Sequence, residues 1–191
     1  MTPETIISIC LGIGLSASVG FRVFVPLFAL SLAAYFDVWS LNTSWEWVGS
    51  LPALITLGVA TIVEILAYFI PYIDNLLDSI AVPLAAIAGT AVMLSTVADL
   101  SPVTTWALAI IAGGGTAAAV AGSSGATRLA STASTGGVAN PVVSTVETGT
   151  SIVMSALSVF APIIAVVVVV VILFIIFKIY KRITKKKSTV A

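Results

Sequence analysis

Three ionisable residues lie inside apolar stretches of the sequence, where a charged side chain needs a partner. Arg22 ends the small-residue run GIGLSASVGFR, Glu64 lies within ITLGVATIVEILAY, and Glu147 lies within STVETGTS. A charge at membrane depth is costly unless it faces an opposite charge or water. We therefore interpret Arg22, Glu64 and Glu147 as a candidate polar site near the bilayer midplane, and we expect Arg22 to pair with Glu64. A structural ion pair and a gated site for a substrate or an ion explain that pair equally well.

Two further sets of polar residues lie near the predicted ends of helices. Asp74, Asn75 and Asp78 fall in the sequence IDNLLD, and the two aspartates share one helix face. Capping of the helix N-terminus is the favoured interpretation, and a cation or metal site is the alternative. Arg128 and Asn140 lie in GSSGATRLASTASTGGVANP. A flexible cytoplasmic loop is the favoured interpretation of that segment, and a re-entrant loop or an anion-binding turn is the alternative.

The sequence lacks the residue sets that common enzymes need. It contains no histidine, no G-K-[ST] phosphate loop and no HExxH motif, so the usual general base and the usual metal ligands are missing. We therefore expect neither catalysis nor a cofactor. The expected partners are membrane lipids and an ion or small polar solute, and not nucleic acid. Formation of a homo-oligomer is left open.

Composition indicates what must position these residues. The mean hydropathy is +1.18, and 59% of the 191 residues are hydrophobic while 8% are charged. Soluble domains carry about 25% charged residues, so this chain cannot build a water-facing surface of the usual kind. Residues 161–177 form an uninterrupted uncharged run, which approaches the roughly 20 residues that cross a bilayer as a helix. We predict an all-α, polytopic bundle of transmembrane helices.

The apolar stretches predict about six spans in a single transmembrane domain over residues 1–187. They cover approximately residues 5–36, 49–70, 74–98, 102–122, 142–160 and 162–179. The first stretch is too long for one straight span. Pro26 removes the hydrogen bond to the carbonyl of Arg22, so we expect this helix to be broken near Arg22–Pro26. A five-span version with one long, kinked final helix stays open.

Basic residues predict the orientation. Six of the eight lie between Lys178 and Lys187, directly after the last span, and such clusters mark the cytoplasmic side. We therefore expect residues 178–191 to form a basic cytoplasmic tail. Six spans then put both termini in the cytoplasm. The tryptophan-rich loop at residues 37–47 lies outside, and the Arg128 segment lies inside.

The two halves of the chain, residues 5–98 and 102–180, resemble one another weakly. The run ending at Arg22 has the character of GTAAAVAGSSGATR, which ends at Arg128, and LAYFIPYI is similar to LSVFAPII. Three spans in each half would make the second copy an inverted repeat, as in many transporters. Shared composition of small-residue helices explains the similarity equally well.

Several motifs together resemble one known family. They are GxGLSAxxGFRxFxPL, VEILAY, IPYIDNLLD, AGG and TGGxxNPxVSTxE. The chain is similar over nearly its whole length to the bacterial multi-pass proteins of the domain-of-unknown-function 4126 family. The resemblance implies an inner-membrane protein with no assigned activity or substrate. It also implies that Arg22, the acids of IDNLLD and the segment around Glu147 belong to the family's pattern.

Two functions follow from these observations. A broken helix at a buried charge favours a small transporter or channel for an ion or small polar solute. The short chain, the basic tail and the absence of a substrate motif favour a non-transporting scaffold or a lipid-binding protein.

Overall fold

The computed structural model describes residues 2–97 and 100–187, without the side chains of 71, 72 and 183–187. Residues 1, 98, 99 and 188–191 lie outside the described residues, and the last four include the end of the predicted tail. Everything regular in the described part is helical, which confirms the all-α prediction. The elements are α1 Pro3–Val19, α2 Phe24–Tyr35, a 3₁₀ helix Thr43–Gly49, α3 Leu51–Ala67, α4 Pro71–Thr96, α5 Pro102–Leu108, a π-helical segment Ala109–Gly114, α6 Gly115–Thr135, α7 Asn140–Phe160 and α8 Pro162–Lys187.

Local sequence explains where many of these helices begin and end. The hydroxyl groups of Thr2, Ser50 and Ser101 accept hydrogen bonds from backbone N–H groups in the first turns of α1, α3 and α5. These residues are therefore the N-caps of the three helices. Proline lies in the first turn of seven helices, where its missing N–H costs nothing. Gly136 ends α6 with a φ of 63°, a left-handed conformation that glycine adopts without strain.

The first apolar stretch folds back on itself as a helical hairpin. Gly14 of α1 lies directly against Ser158 of α7. Trp39, which follows α2, donates its indole N–H to the backbone carbonyl of Val159 at 2.9 Å. Val159 is the neighbour of Ser158 in α7. Because both positions lie beside the end of α7, the chain must reverse direction between α1 and α2. The predicted break is therefore present at residues 20–23, but its two halves do not form one span.

The position of Pro26 explains why the break precedes it. Pro26 is the third residue of α2, within the first turn, whose N–H groups have no partner inside the helix. It therefore starts a new helix and does not kink an existing one. The break expected near Arg22–Pro26 therefore lies at residues 20–23, just before the proline.

The remaining helices run alternately between two ends of the bundle. The tryptophan end contains residues 37–50, and the basic end contains the turns at 68–70 and 136–139. Asn42 donates its N–H to the Ser95 carbonyl at 2.9 Å, which places the end of α4 at the tryptophan end. Ile9 of α1 packs with Val97 in the same region. Helices α5–α6 return to the basic end, α7 runs back, and α8 returns past α1.

The predicted number of six spans is not confirmed. Four described helices are long and apolar enough to cross a membrane, or five if the 3₁₀ helix and α3, bent by 66°, are counted as one span. Helices α1 and α2 are shorter apolar helices. The start of α1 and the end of α8 lie at opposite ends of the bundle, so six spans with both termini on one side are not confirmed. The separation of the last two helices at Ala161 is confirmed.

Two other predictions change with the fold. The segment of residues 122–141 is not a loop, because α6 continues to Thr135 and only residues 136–139 form the turn. The inverted repeat also receives no support. Helices α1 and α6, which carry the two matching small-residue runs, both run towards the basic end, whereas an inversion requires opposite directions.

Candidate functional site

The hairpin tip lies against α6 and α7, near the basic end of the bundle. Gly20 allows this close approach, because a Cβ atom there would lie 2.5 Å from the Cβ of Val120 and 2.7 Å from the Ala117 carbonyl oxygen. Two residues earlier, the Ser18 hydroxyl contacts the hydroxyls of Ser151 and Ser155 at 2.9 and 2.7 Å. The tip is thereby fixed with its arginine pointing into the bundle.

Arg22 is buried at this tip, and its guanidinium donates hydrogen bonds to α7 and to the backbone carbonyl of the preceding residue. Its Nε donates to the Thr148 hydroxyl, and Nη2 donates to the Ser144 carbonyl, both at 3.0 Å. Its Nη1 donates to Glu147 Oε2 at 3.1 Å and to the Phe21 carbonyl at 3.0 Å. Only 2% of the residue is exposed, so these bonds replace the solvation that a buried guanidinium loses.

The predicted ion pair between Arg22 and Glu64 is not formed. Glu64 instead accepts the backbone N–H groups of Val23 and Phe24 at 2.7 and 2.9 Å. These groups begin α2 and have no partner within that helix, and a carboxylate suits the positive end of a helix dipole. The partner of Arg22 is Glu147, since only Glu147 among the described carboxylates lies within 4 Å of it.

Arg128 joins the other carboxylates to the same cluster. It forms ion pairs with Asp74 and with Glu147, and its Nη2 donates to the Ser144 hydroxyl at 2.8 Å. Both Arg128 and Asp74 are 3% exposed. Glu147 therefore bridges the two arginines, which separates their like charges. The residue that we expected in a surface segment is at the centre of the site.

Asp74 connects this cluster to the first residue of α7. The side-chain amide nitrogen of Asn140 donates one hydrogen bond to Oδ2 of Asp74 and another to the Thr132 hydroxyl, each at 3.2 Å. Asp74 therefore pairs with a buried arginine, which the favoured capping interpretation did not include. Its neighbour Asn75 lines a cavity beside this contact.

Asp78 is the most accessible carboxylate of the cluster. Its side chain is 22% exposed, and Oδ1 lies 3.6 Å from Arg128 Nε. The two arginines carry +2 and the four carboxylates Glu64, Asp74, Asp78 and Glu147 carry −4 when ionised, so the formal charge of the cluster is −2. Among the described residues, no group of three or more acidic or cysteine side chains is arranged to hold a metal ion.

Tyr68 is a central residue that the sequence analysis missed. The guanidinium carbon of Arg22 lies 3.9 Å from the centroid of its ring, and that of Arg128 lies 4.5 Å from it. Both contacts are within the range of cation–π attraction. The available signal was its position four residues after Glu64, which puts both side chains on one face of α3.

Two cavities meet at this cluster. The first, of about 330 Å³, lies between α3 and α4 and is lined by the hairpin tip, Glu64, Asp78, Arg128 and Glu147. The second, of about 320 Å³, lies at the turns of the basic end and is lined by Asp74, Asn75 and Asn140. Tyr68 lines both. The Arg128–Asp74 pair joins a residue of the first cavity to a residue of the second.

Comparison with known proteins adds one positive finding. The sequence model of the family described as "Domain of unknown function (DUF4126)" matches residues 9–182. No curated protein and no solved structure matches the chain.

Proposed function

This chain belongs to the DUF4126 family, and we propose that it is a small membrane transporter or channel that moves an ion or small polar solute past the buried arginine–carboxylate cluster. One observation carries the proposal. Two cavities lie on either side of the Arg128–Asp74 pair, with the Tyr68 ring in the wall of both. A solute would meet Arg22, Arg128 and Glu147 in the first cavity and Asp74, the partner of Arg128, in the second.

The hairpin supports the same function. Backbone that is not helical is tolerated at membrane depth only where protein or water covers it, and discontinuous helices form the solute sites of many transporters. Here the end of α1 and the start of α2 meet at residues 20–23, next to the first cavity. The backbone N–H groups of Val23 and Phe24 at this point donate to the carboxylate of Glu64.

Opening of the route requires that Arg128 and Tyr68 move apart from Asp74. Helix α3 carries Glu64, is followed directly by the buried Tyr68, and contains no buried residue itself. It packs on α2 and the 3₁₀ helix, and it exposes Ile55, Val59 and Ile62. Such a peripheral helix has few contacts to lose when it moves. We propose that displacement of α3 connects the two cavities.

We propose a bacterial inner membrane as the location, with the basic end in the cytoplasm. The helices expose large apolar side chains, among them Ile87, Ile111 and Phe174, which lipid would cover. Lys178 and Lys181 lie near the end of α8, and the positive-inside rule assigns this end to the cytoplasm. The second cavity then opens towards the cytoplasm, and the tryptophan loop lies at the outer interface.

Flux into liposomes tests the proposal. Purified protein is reconstituted in phosphatidylcholine vesicles, and the uptake of protons, Na⁺, K⁺ and small organic ions is compared with that of empty vesicles. We expect flux of at least one solute, and we expect Glu147→Gln to reduce it about tenfold or more because the cluster loses its bridging charge. The matched control Lys178→Gln removes an exposed charge and should leave flux unchanged. Equal flux in protein-containing and empty vesicles for the whole panel would contradict transport.

A second candidate function rests on a separate groove. About 400 Å³ of space lies between α6, α7 and α8, with Ile172, Ile175 and Ile176 in its wall and Ser124 and Glu147 at its polar side. An acyl chain suits such a groove, which favours a lipid-binding protein. A specific lipid that co-purifies with the protein, together with no flux, would support this candidate over transport.

A further inference from the structure

We propose that the cavity between α3 and α4 binds a small organic cation with an apolar portion, which enters from the hydrocarbon side of the bilayer and places its charge at Asp78. The inference rests on the proposed function, because it names the class of solute that the transporter would carry. Three features of the cavity support it: its apolar walls, the charge of its ionisable groups, and the long ion-pair contact of Asp78.

The walls of the cavity are mostly apolar and reach the lipid-facing surface. Ala60, Val63 and Ala67 line it from α3, and Leu77, Ala81 and Leu84 line it from α4. Val63 and Leu84 are also exposed on the outer surface of the helices. An apolar group can therefore pass between α3 and α4 without leaving hydrocarbon-like surroundings. A volume of about 330 Å³ is within the usual range for small-molecule sites.

The charge of the cluster selects a cation. Arg22 and Arg128 already donate to Glu147, Asp74, Ser144 and Thr148. An anion would have to displace these bonds, and each broken charge-assisted bond in a buried site is costly. The formal charge of −2 on the six ionisable groups adds to this discrimination.

Asp78 is the carboxylate that such a cation would contact. It lines the cavity, and its ion-pair contact with Arg128 is long, at 3.6 Å. The other carboxylates have closer partners: Glu64 accepts two backbone N–H groups, Asp74 pairs with Arg128, and Glu147 pairs with both arginines. A bound cation therefore improves the weakest electrostatic contact of the cluster and breaks none of the short ones.

Binding of benzyltrimethylammonium tests the inference. The full-length protein is placed in nanodiscs of zwitterionic phosphatidylcholine, which removes anionic lipid as a competing site, and binding is measured by equilibrium dialysis. Benzenesulfonate serves as an anion of similar size. We expect saturable binding of the cation and none of the anion. Preference for the anion, or no saturable binding of the cation, would overturn the proposal.

Two variants and one control locate the site. Asp78→Asn should weaken binding about tenfold or more, whereas Glu46→Gln, which removes an exposed carboxylate in the 3₁₀ helix, should change it less than about twofold. Ala81→Leu fills the cavity without changing any charge and should also abolish binding. It keeps the test decisive if Asp78→Asn does not fold. Wild-type affinity in the folded Asp78→Asn or Ala81→Leu protein would overturn the proposal.

Binding and flux fail separately. Saturable binding with no flux would contradict the proposed transport and leave the cation site standing. Flux of another solute with no binding of the cation would contradict this inference and leave transport standing.

Discussion

Replacing Glu147 with glutamine removes the one carboxylate that bridges both buried arginines. Glu147 accepts Nη1 of Arg22 at 3.1 Å and Nε of Arg128 at 3.0 and 3.2 Å. Glutamine has nearly the same shape, so the substitution removes charge with little change in packing. Arg22 would keep only neutral partners, because its remaining bonds go to Thr148 and to two backbone carbonyls.

The expected loss of stability follows from burial. Arg22, Arg128 and Glu147 are all less than 10% exposed, so water cannot replace the missing carboxylate. Removing one partner of a buried ion pair typically costs about 3–5 kcal/mol. We expect a loss of this size for Glu147→Gln. The exposed Glu46→Gln serves as the control, and we expect its effect to stay within about 0.5 kcal/mol.

Unfolding in mixed micelles with increasing sodium dodecyl sulfate measures these losses. Tryptophan fluorescence at pH 7 is a suitable signal, because Trp39 is bonded to the end of α7. The double variant Arg128→Gln/Glu147→Gln removes a positive and a negative charge together. It should cost less than the sum of the single variants, by about 2 kcal/mol, which is within the range for residues of one ionic network. A Glu147→Gln loss below about 1 kcal/mol, or strict additivity, would refute the account of a closed network.

Three further predictions concern the elements around this cluster. Gly20→Ala should destabilise the protein by about 1–3 kcal/mol in the same assay, because the added Cβ would overlap Val120. Gly122→Ala is the control, because nothing lies within 4 Å of the added carbon, and it should be neutral or stabilising by up to about 1 kcal/mol. Equal effects of Gly20→Ala and Gly122→Ala would contradict the close approach at the hairpin tip. Glu64→Gln should cost about 1–2 kcal/mol and speed amide hydrogen exchange at residues 23 and 24, because one backbone N–H of α2 loses its acceptor; unchanged exchange would contradict the cap. Tyr68→Ala should increase solute flux several-fold, since it removes the side chain common to both cavities; unchanged flux would exclude Tyr68 from the route.

The sequence predicted the type of fold and most members of the cluster. Long apolar runs with few charges allow little besides membrane helices, and each intramembrane charge requires a partner. Arg22, Arg128, Asp74, Asp78 and Glu147 could therefore be singled out individually. The break between α7 and α8 was also predicted, because Pro162 cannot continue a helix that needs its N–H.

The partners of the charged side chains and the directions of the helices could not be predicted from the sequence. Glu64 was expected to pair with Arg22 because the two residues lie at similar depths in their apolar stretches. Helix N-termini also attract carboxylates, and hydropathy does not reveal that a helix starts at Phe24. Reversal of the chain at residues 20–23 depends on contacts with Ser158 and Val159, which are more than a hundred residues away in the sequence. Small and hydroxyl-bearing residues made 122–135 resemble a loop, whereas in the bundle they allow α6 to pack closely.

Thiol modification of the first cavity tests the central proposal most directly. In a Cys10→Ser background the variant Ala81→Cys carries one thiol, in the cavity wall, and a cationic methanethiosulfonate reagent converts it to a bulky mixed disulfide. Flux of the transported solute is measured before modification, after it, and after reduction with dithiothreitol. We expect modification to stop the flux and reduction to restore it. The thiol of Ala88→Cys, buried in the core away from the cavity, should remain unmodified. Complete modification of Cys at position 81 with undiminished flux would contradict transport through this site.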